Sequence, residues 1–152
     1  FGDFFCPPKM RKRLMMRKDD CIFCKLANGV IPTNTIYEDE DFKAILDISP
    51  ASKGHALILP KEHYANLYEV DEETLTKAIK LAKRIVEHET KVLGCDGYNL
   101  LQNNGTAAGQ TVYHFHIHMI PRYEGEEDMV TWETKELDAS EADILREKMK
   151  ME

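Results

Sequence analysis

The 152-residue sequence predicts an α+β domain, an antiparallel sheet with helices packed on one side. Three observations carry this. One segment, "DEETLTKAIKLAKRIVEHETKVLG", repeats its apolar residues at three- and four-residue spacing. Five other runs have the length and composition of strands. The links within the first pair of strands and between the last two are short and polar, as antiparallel neighbours require.

The elements follow in order. "DDCIFCKLANG" predicts a short helix, with Asp20 near its start and Gly29 closing it. "IPTNT" is a loop. "TIYEDEDFKAILDISP" holds two strands around the polar "EDED", a hairpin pattern. "GHALILP" is a compact apolar strand that ends at Pro60. The long helix places Leu75, Ala78, Ile79, Ala82, Ile85, Val86 and Leu93 on one stripe. Asp71, Glu72 and Glu73 crowd its start and Gly94 follows its end, as the helix dipole and the cap prefer. "GYNLLQNNG" is a strand running into a turn, "AAGQT" a loop of small residues, and "VYHFHIHMIP" the last strand. An acidic tail covers residues 124–152, with a short helix expected from Ser140 to Lys150, capped by Ser140. There is no internal repeat.

Composition narrows the function. At 43% hydrophobic and 31% charged, the chain has material for a core and a solvated surface. No run approaches the ~20 apolar residues of a membrane span. "LMM" is too short for a secretory segment, which needs at least ~7 apolar residues. Nothing in the sequence directs the chain out of the cytosol. The net charge is −7, yet the first 18 residues carry +5 and the rest −12. An acidic body excludes a nucleic-acid duplex as main ligand. A small nucleotide remains compatible, because a single pocket can favour phosphate locally. Residues 1–15 read as a solvated extension, and the folded domain is expected from Met16 to Tyr123. The four cysteines do not read as a disulfide framework. Cys21 and Cys24 form a C-x-x-C pair, and Cys6 and Cys95 are left over.

Half of the six histidines lie in "HFHIH", at positions 114, 116 and 118. On a strand they point one way, about 6.5–7 Å apart, while Phe115, Ile117 and Met119 point into the core. Three readings are open: a polar strand face, a metal site, or a nucleophile with helpers. A straight row converges poorly on one metal ion. A central imidazole that attacks, a neighbour that steadies charge, and loop N–H groups that bind oxyanions suit the row better.

At "HFHIHMI" the sequence resembles the histidine triad (HIT) superfamily of nucleotide hydrolases and transferases. The likeness extends to "CIFCKLANGVIP", "DISPASKGHALILPKEH", "GYNLLQNNG" and "GQTVYHFHIHMIPRY", in the family's usual order, from about Asp20 to Tyr123. The resemblance implies that His116 is the nucleophile at the α-phosphorus and forms a nucleotidyl-histidine. It assigns His118 to the phosphate or leaving group, Gln110 and Thr111 to the phosphate loop, and Asn103 to a hydrogen bond near the scissile bond. Gly109 would let the loop backbone come close. His55 matches a further histidine behind the site. Asp47 matches the acid that holds the ribose hydroxyls. Ile22, Phe23, Leu26 and Ile48 match the apolar slot for a purine base. Read without the family, Asp47 starts a turn and the four apolar residues are core.

A subset of bacterial members pairs Cys21 and Cys24 with the equivalents of His63 and His114 around a structural zinc. Two reduced, buried cysteines are the alternative reading. No organic cofactor is implied. Family members are homodimers, so the five-stranded sheet, with its one long and one short helix, is expected to join a second into ten strands. Two branches share the features here. The N-terminal motif, Asn103 and the single-domain length resemble the Hint-type phosphoramidases. "AAGQTV" and "IPR" resemble the fragile-histidine-triad hydrolases of dinucleoside polyphosphates. A nucleotide-binding adaptor with little turnover is the rival from another class.

Overall fold

A computed structural model describes residues 17–152, so the expected extension over residues 1–15 and its Cys6 lie outside the described residues. Five strands form one antiparallel sheet: β1 (Thr35–Glu38), β2 (Phe42–Leu46), β3 (Ala56–Pro60), β4 (Gly97–Leu101) and β5 (Ile117–Arg122). Their order is β1-β2-β3-β5-β4, with the two hairpin-like pairs joined through β3 and β5. α1 (Ile22–Ala27) precedes the sheet, α2 (Glu72–Leu93) crosses one face, and α3 (Ala139–Met149) ends the chain.

The two faces of the sheet have different jobs. On one, Ala56, Ile58, Phe115, Ile117 and Met119 pack against Ala78, Leu81, Ala82 and Ile85 of α2. Ala78, Ala82 and Ile85 belong to the predicted stripe, Leu81 joins them, and Ile79 faces solvent instead; Asp71 caps the helix by accepting from the Thr74 N–H at 2.8 Å. On the other face, Ile45, Leu57 and Leu59 pack under Ala27, Phe23 and Leu26 of α1. Alternation along β2 and β3 separates the two sets.

The connection from β2 to β3 depends on Gly54. Its φ of +93° lies in the left-handed region, and a Cβ there would come within 2.6 Å of Leu93 Cδ1 and 3.2 Å of Pro121 Cγ. Only glycine lets this turn lie against the end of α2.

Three expectations need correction. The last strand begins at Ile117, not near Val112. β5 pairs with β3 only as far as Ile117 opposite Ile58. Beyond that, Pro60 has no N–H for a ladder, and the Phe115 N–H bonds instead to the Tyr64 carbonyl at 2.6 Å. The histidines also do not line an open face, because α1 lies over them. His114 is fully buried and His116 nearly so. Finally, α3 is capped by Asp138, whose carboxylate accepts from the Ser140 and Glu141 N–H groups, rather than by Ser140. A carboxylate two residues earlier serves two N–H groups at once. α1 starts at Ile22, two residues after Asp20, with Cys21 as its cap.

Candidate active site and metal centre

The three histidines keep their alternation but meet different surroundings, and backbone carbonyls set their tautomers. A carbonyl only accepts, so the ring nitrogen facing it carries the hydrogen. His114 donates from Nε2 to the Pro60 carbonyl at 2.8 Å, and its Nδ1 keeps a lone pair. His116 does the reverse. Its Nδ1 donates to the His114 carbonyl at 2.6 Å, and its Nε2 keeps the lone pair. Burial holds His116 below the usual histidine range, against the opposing pull of the His114 carbonyl. It is therefore a neutral imidazole at neutral pH, with a free electron pair.

The lone pair on His114 Nδ1 faces two sulfurs, at 3.5 Å from Cys21 Sγ and 3.5 Å from Cys24 Sγ. His63 Nδ1 is 3.4 Å from Cys24 Sγ. A tetrahedral zinc, about 2.3 Å from sulfur and about 2.0–2.1 Å from nitrogen, holds S and N roughly 3.5 Å apart. These three S–N pairs thus stand at the spacing a zinc ion needs, and the four donors, all within 4.8 Å of one another, form one of two groups with metal-ligand composition among the described residues. Burial pushes the Cys24 thiol up to about 11, and a bound cation would favour its thiolate. Burial also lowers His114 to about 4, which keeps it neutral as a ligand must be.

His116 and His118 line a cleft of about 620 Å³ on the α1 side of the sheet, within the usual range for a small-molecule site. Their rings are 4.8 Å apart, and Phe23 stands edge-on to His116 at 4.9 Å. At one end the wall is apolar, built from Ile22, Phe23 and Leu26 of α1 with the exposed Ile48. Asp47 sits beside it and accepts the Ser49 N–H through Oδ1 at 2.8 Å. At the other end are Asn103, Gly109 and Thr111. Gly109 has φ +86°, and a Cβ there would approach the Asn103 amide to 3.8 Å, so its left-handed turn holds the loop close to Asn103.

Two residues expected among the catalytic groups stand behind this wall. Gln110 is buried and spends its side chain on the loop, accepting the Gly105 N–H and donating to the Ala65 and Val112 carbonyls. His55 contacts His118 and not the cleft. Six lining residues were not anticipated: Pro32, Thr33, Asn34, Ile45, Leu46 and Leu57. Ile45 and Leu57 were legible in principle, since each falls on the α1 face of its strand. The "PTN" loop carries no such pattern.

Comparison with known proteins agrees with this geometry. The family model described as HIT domain matches residues 28–125. An uncharacterised HIT-like protein of Methanocaldococcus jannaschii is 49% identical, the match covering 84% of this chain and 97% of the relative. An adenosine 5'-monophosphoramidase of Schizosaccharomyces pombe is 41% identical over 85% of this chain and 95% of its own. A crystal structure from Streptococcus mutans superposes with a TM-score of 0.83 at 38% identity, covering 88% and 85% of the two chains. A zinc-bound histidine triad protein of Mycobacterium smegmatis does so with a TM-score of 0.68 at 36% identity, covering 84% and 91%.

Proposed function

The chain belongs to the HIT domain family, and from that premise we propose that it hydrolyses purine nucleoside phosphoramidates or related adenylates at the α-phosphorus. One observation carries the reading. The His114 carbonyl takes the Nδ1 hydrogen of His116, which leaves an Nε2 lone pair on a neutral imidazole that lines the cleft. Neutral imidazole is a competent nucleophile near pH 7. The phosphoramidase named among the relatives favours this substrate class over dinucleoside polyphosphates.

The purine lies between Ile22, Phe23, Leu26 and Ile48, and Asp47 accepts the ribose hydroxyls. Thr111, Asn103 and the loop N–H groups near Gly109 hold the phosphate oxygens. His116 Nε2 then bonds to phosphorus. The bond to the leaving group breaks, its electron pair departs with that group, and a departing amine takes up a proton that solvent supplies. The His114 carbonyl faces the Nδ1–H of the resulting imidazolium and stabilises its charge. Water next attacks phosphorus, the P–N bond breaks with its electron pair returning to His116 Nε2, the proton lost by water passes to solvent, and the nucleoside monophosphate is released.

Zinc at Cys21, Cys24, His63 and His114 has a structural part. A closed Cys₂His₂ set would leave no position for substrate, and these four residues would tie α1 to the sheet when they hold the ion. The protein is read as a homodimer, because β4 lies at the edge of the sheet and exposes Leu100. Sedimentation as a monomer at micromolar concentration sinks that part.

The test of the reading is trapping. Adenosine 5'-phosphoramidate labelled at phosphorus, quenched during turnover, should leave an acid-labile adduct on His116 that His116→Ala lacks. An enzyme that turns over neither phosphoramidates nor dinucleoside polyphosphates, while binding nucleotide as well with alanine at 116, is the adaptor instead.

A further inference from the structure

Asn103 lines the cleft with His116 and His118, yet no ladder holds it there. β4 ends at Leu101, opposite His118, and residues 102–104 leave the sheet. Side chains hold this stretch instead. The Leu67 N–H donates to Asn104 Oδ1 at 2.8 Å. A backbone N–H only donates, so the atom facing it is the carboxamide oxygen, and Nδ2 of Asn104 faces the other way. Nδ2 donates to Gln102 Oε1 at 2.5 Å, and Gln102 Nε2 returns a bond to Asn104 Oδ1 at 3.0 Å. The same Nε2 reaches the Asn103 carbonyl at 3.3 Å. One backbone donor thus fixes the orientation of two carboxamides, which clasp each other across the residue between them.

We propose that Gln102 and Asn104 are positioning residues, whose clasp, anchored on Leu67, holds Asn103 with its carboxamide toward the reacting phosphorus. This rests on the nucleotide hydrolase reading. The three neighbours divide the work. Gln102 and Asn104 spend their amides on each other and stand outside the cleft lining. Asn103 lines the cleft, and among the described residues its side chain has no hydrogen-bond partner, so its donor and acceptor are free for a ligand. Without the clasp, three consecutive residues outside the ladder would have to be ordered by the substrate itself.

The anchor ties Asn103 to the same body as the nucleophile. Leu67 stands on the segment that follows His63. This segment also gives the Tyr64 carbonyl to the Phe115 N–H at 2.6 Å, beside His116, and the Ala65 carbonyl to Gln110 Nε2 at 2.7 Å. Gln110 in turn accepts the Gly105 N–H at 2.8 Å, one residue beyond Asn104. The histidine stretch and both ends of the loop are thus registered to residues 64–67. The apolar slot and Asp47 lie outside this circuit. Breaking the clasp therefore leaves nucleotide binding in place and misaims one group at the phosphorus, a loss that falls on kcat.

The test compares wild type with Gln102→Met, which keeps the shape of the side chain without its amide, and with Asn104→Leu. Each is also made beside Asn103→Ala. On adenosine 5'-phosphoramidate, Gln102→Met should lose about 10- to 100-fold in kcat with KM within about threefold, the cost of a group misplaced by about 1 Å. Gln102→Glu sets a carboxylate against the Asn103 carbonyl and Asn104 Oδ1, and should be no better than Met. With alanine at 103 there is nothing left to aim, so adding Gln102→Met should change kcat by less than about threefold. A merely structural pair would lower kcat equally in both backgrounds. Without substrate, the Leu67 amide should exchange its hydrogen about tenfold faster in Asn104→Leu than in wild type.

Unchanged kcat in Gln102→Met, a loss carried by KM, an equal loss beside Asn103→Ala, or a Leu67 amide indifferent to Asn104 overturns the proposal. If Asn104→Leu does not fold, Gln102→Met still decides it. A wild type that turns over neither phosphoramidates nor dinucleoside polyphosphates fails the hydrolase reading, and the proposal falls with it. An active wild type whose rate ignores the clasp fails the proposal alone.

Discussion

His114 and Pro60 are joined by a 2.8 Å hydrogen bond from the ring Nε2 to the carbonyl of the residue that ends β3. The bond turns the opposite ring nitrogen toward Cys21 and Cys24 and removes His114 from the cleft. The protein purified from zinc-containing medium should therefore carry about one zinc per chain. Stripping it with a strong chelator should lower Tm by about 5–15 °C, since a few kcal/mol shifts a domain of this size by that much. Metal content by atomic emission and Tm by circular dichroism check this. His63→Ala should abolish the difference in Tm between metal-loaded and stripped protein.

Asp47 reaches the cleft with one oxygen already bound to the Ser49 N–H and the other free of backbone partners. A sugar hydroxyl is its natural occupant. Asp47→Ala should raise KM about tenfold, the value of one hydrogen bond to a charged group, with a smaller change in kcat. Removing the 2'-hydroxyl from the substrate should cost wild type and leave the variant nearly unaffected. Equal penalties in both proteins would place the sugar elsewhere.

Gly54 combines a left-handed backbone with contact against Leu93 and Pro121. Gly54→Ala should destabilise the protein by about 1–4 kcal/mol, from strain at the special φ and overpacking together. Urea denaturation measures it. A loss below about 0.5 kcal/mol would mean that the Leu93 side chain moves aside freely.

Acid should unfold the chain through its buried histidines. His118 is lowered to about 4 by burial, while the unfolded chain titrates near ~6.5. The unfolded state binds the proton first, so stability is complete above about pH 6.5 and falls as pH drops toward about 4. Calorimetry across that window should show a declining Tm. His118→Asn should make the decline shallower.

Much of the fold was readable because periodicity is a local signal. Leu75, Ala78, Ala82 and Ile85 announced α2, and the motif around Cys21 and Cys24 announced the short α1, which Cys21 caps. The differences came from long-range contacts. Nothing near Val112 says that Pro60, 52 positions away, will end the ladder there. The Gln110 amide reads as a phosphate-loop donor until the Ala65 carbonyl is seen to take it. The "PTN" segment enters the cleft only because α1 folds back over the sheet. The family motifs placed His55 near the site, but only the Ala51 N–H shows which of its nitrogens carries the hydrogen.

The alternation from His114 to His118 has one more implication. Phe115 and Ile117 sit in the α2 core, while His114 turns to Cys21 and Cys24, and His116 and His118 line the cleft. Adding or deleting one residue anywhere in this stretch would exchange the two sides and drive imidazoles into the core. Side-chain replacements here damage one function at a time, whereas a change of length damages all of them. In a lineage of such sequences, the spacing of this stretch would be the last thing to drift.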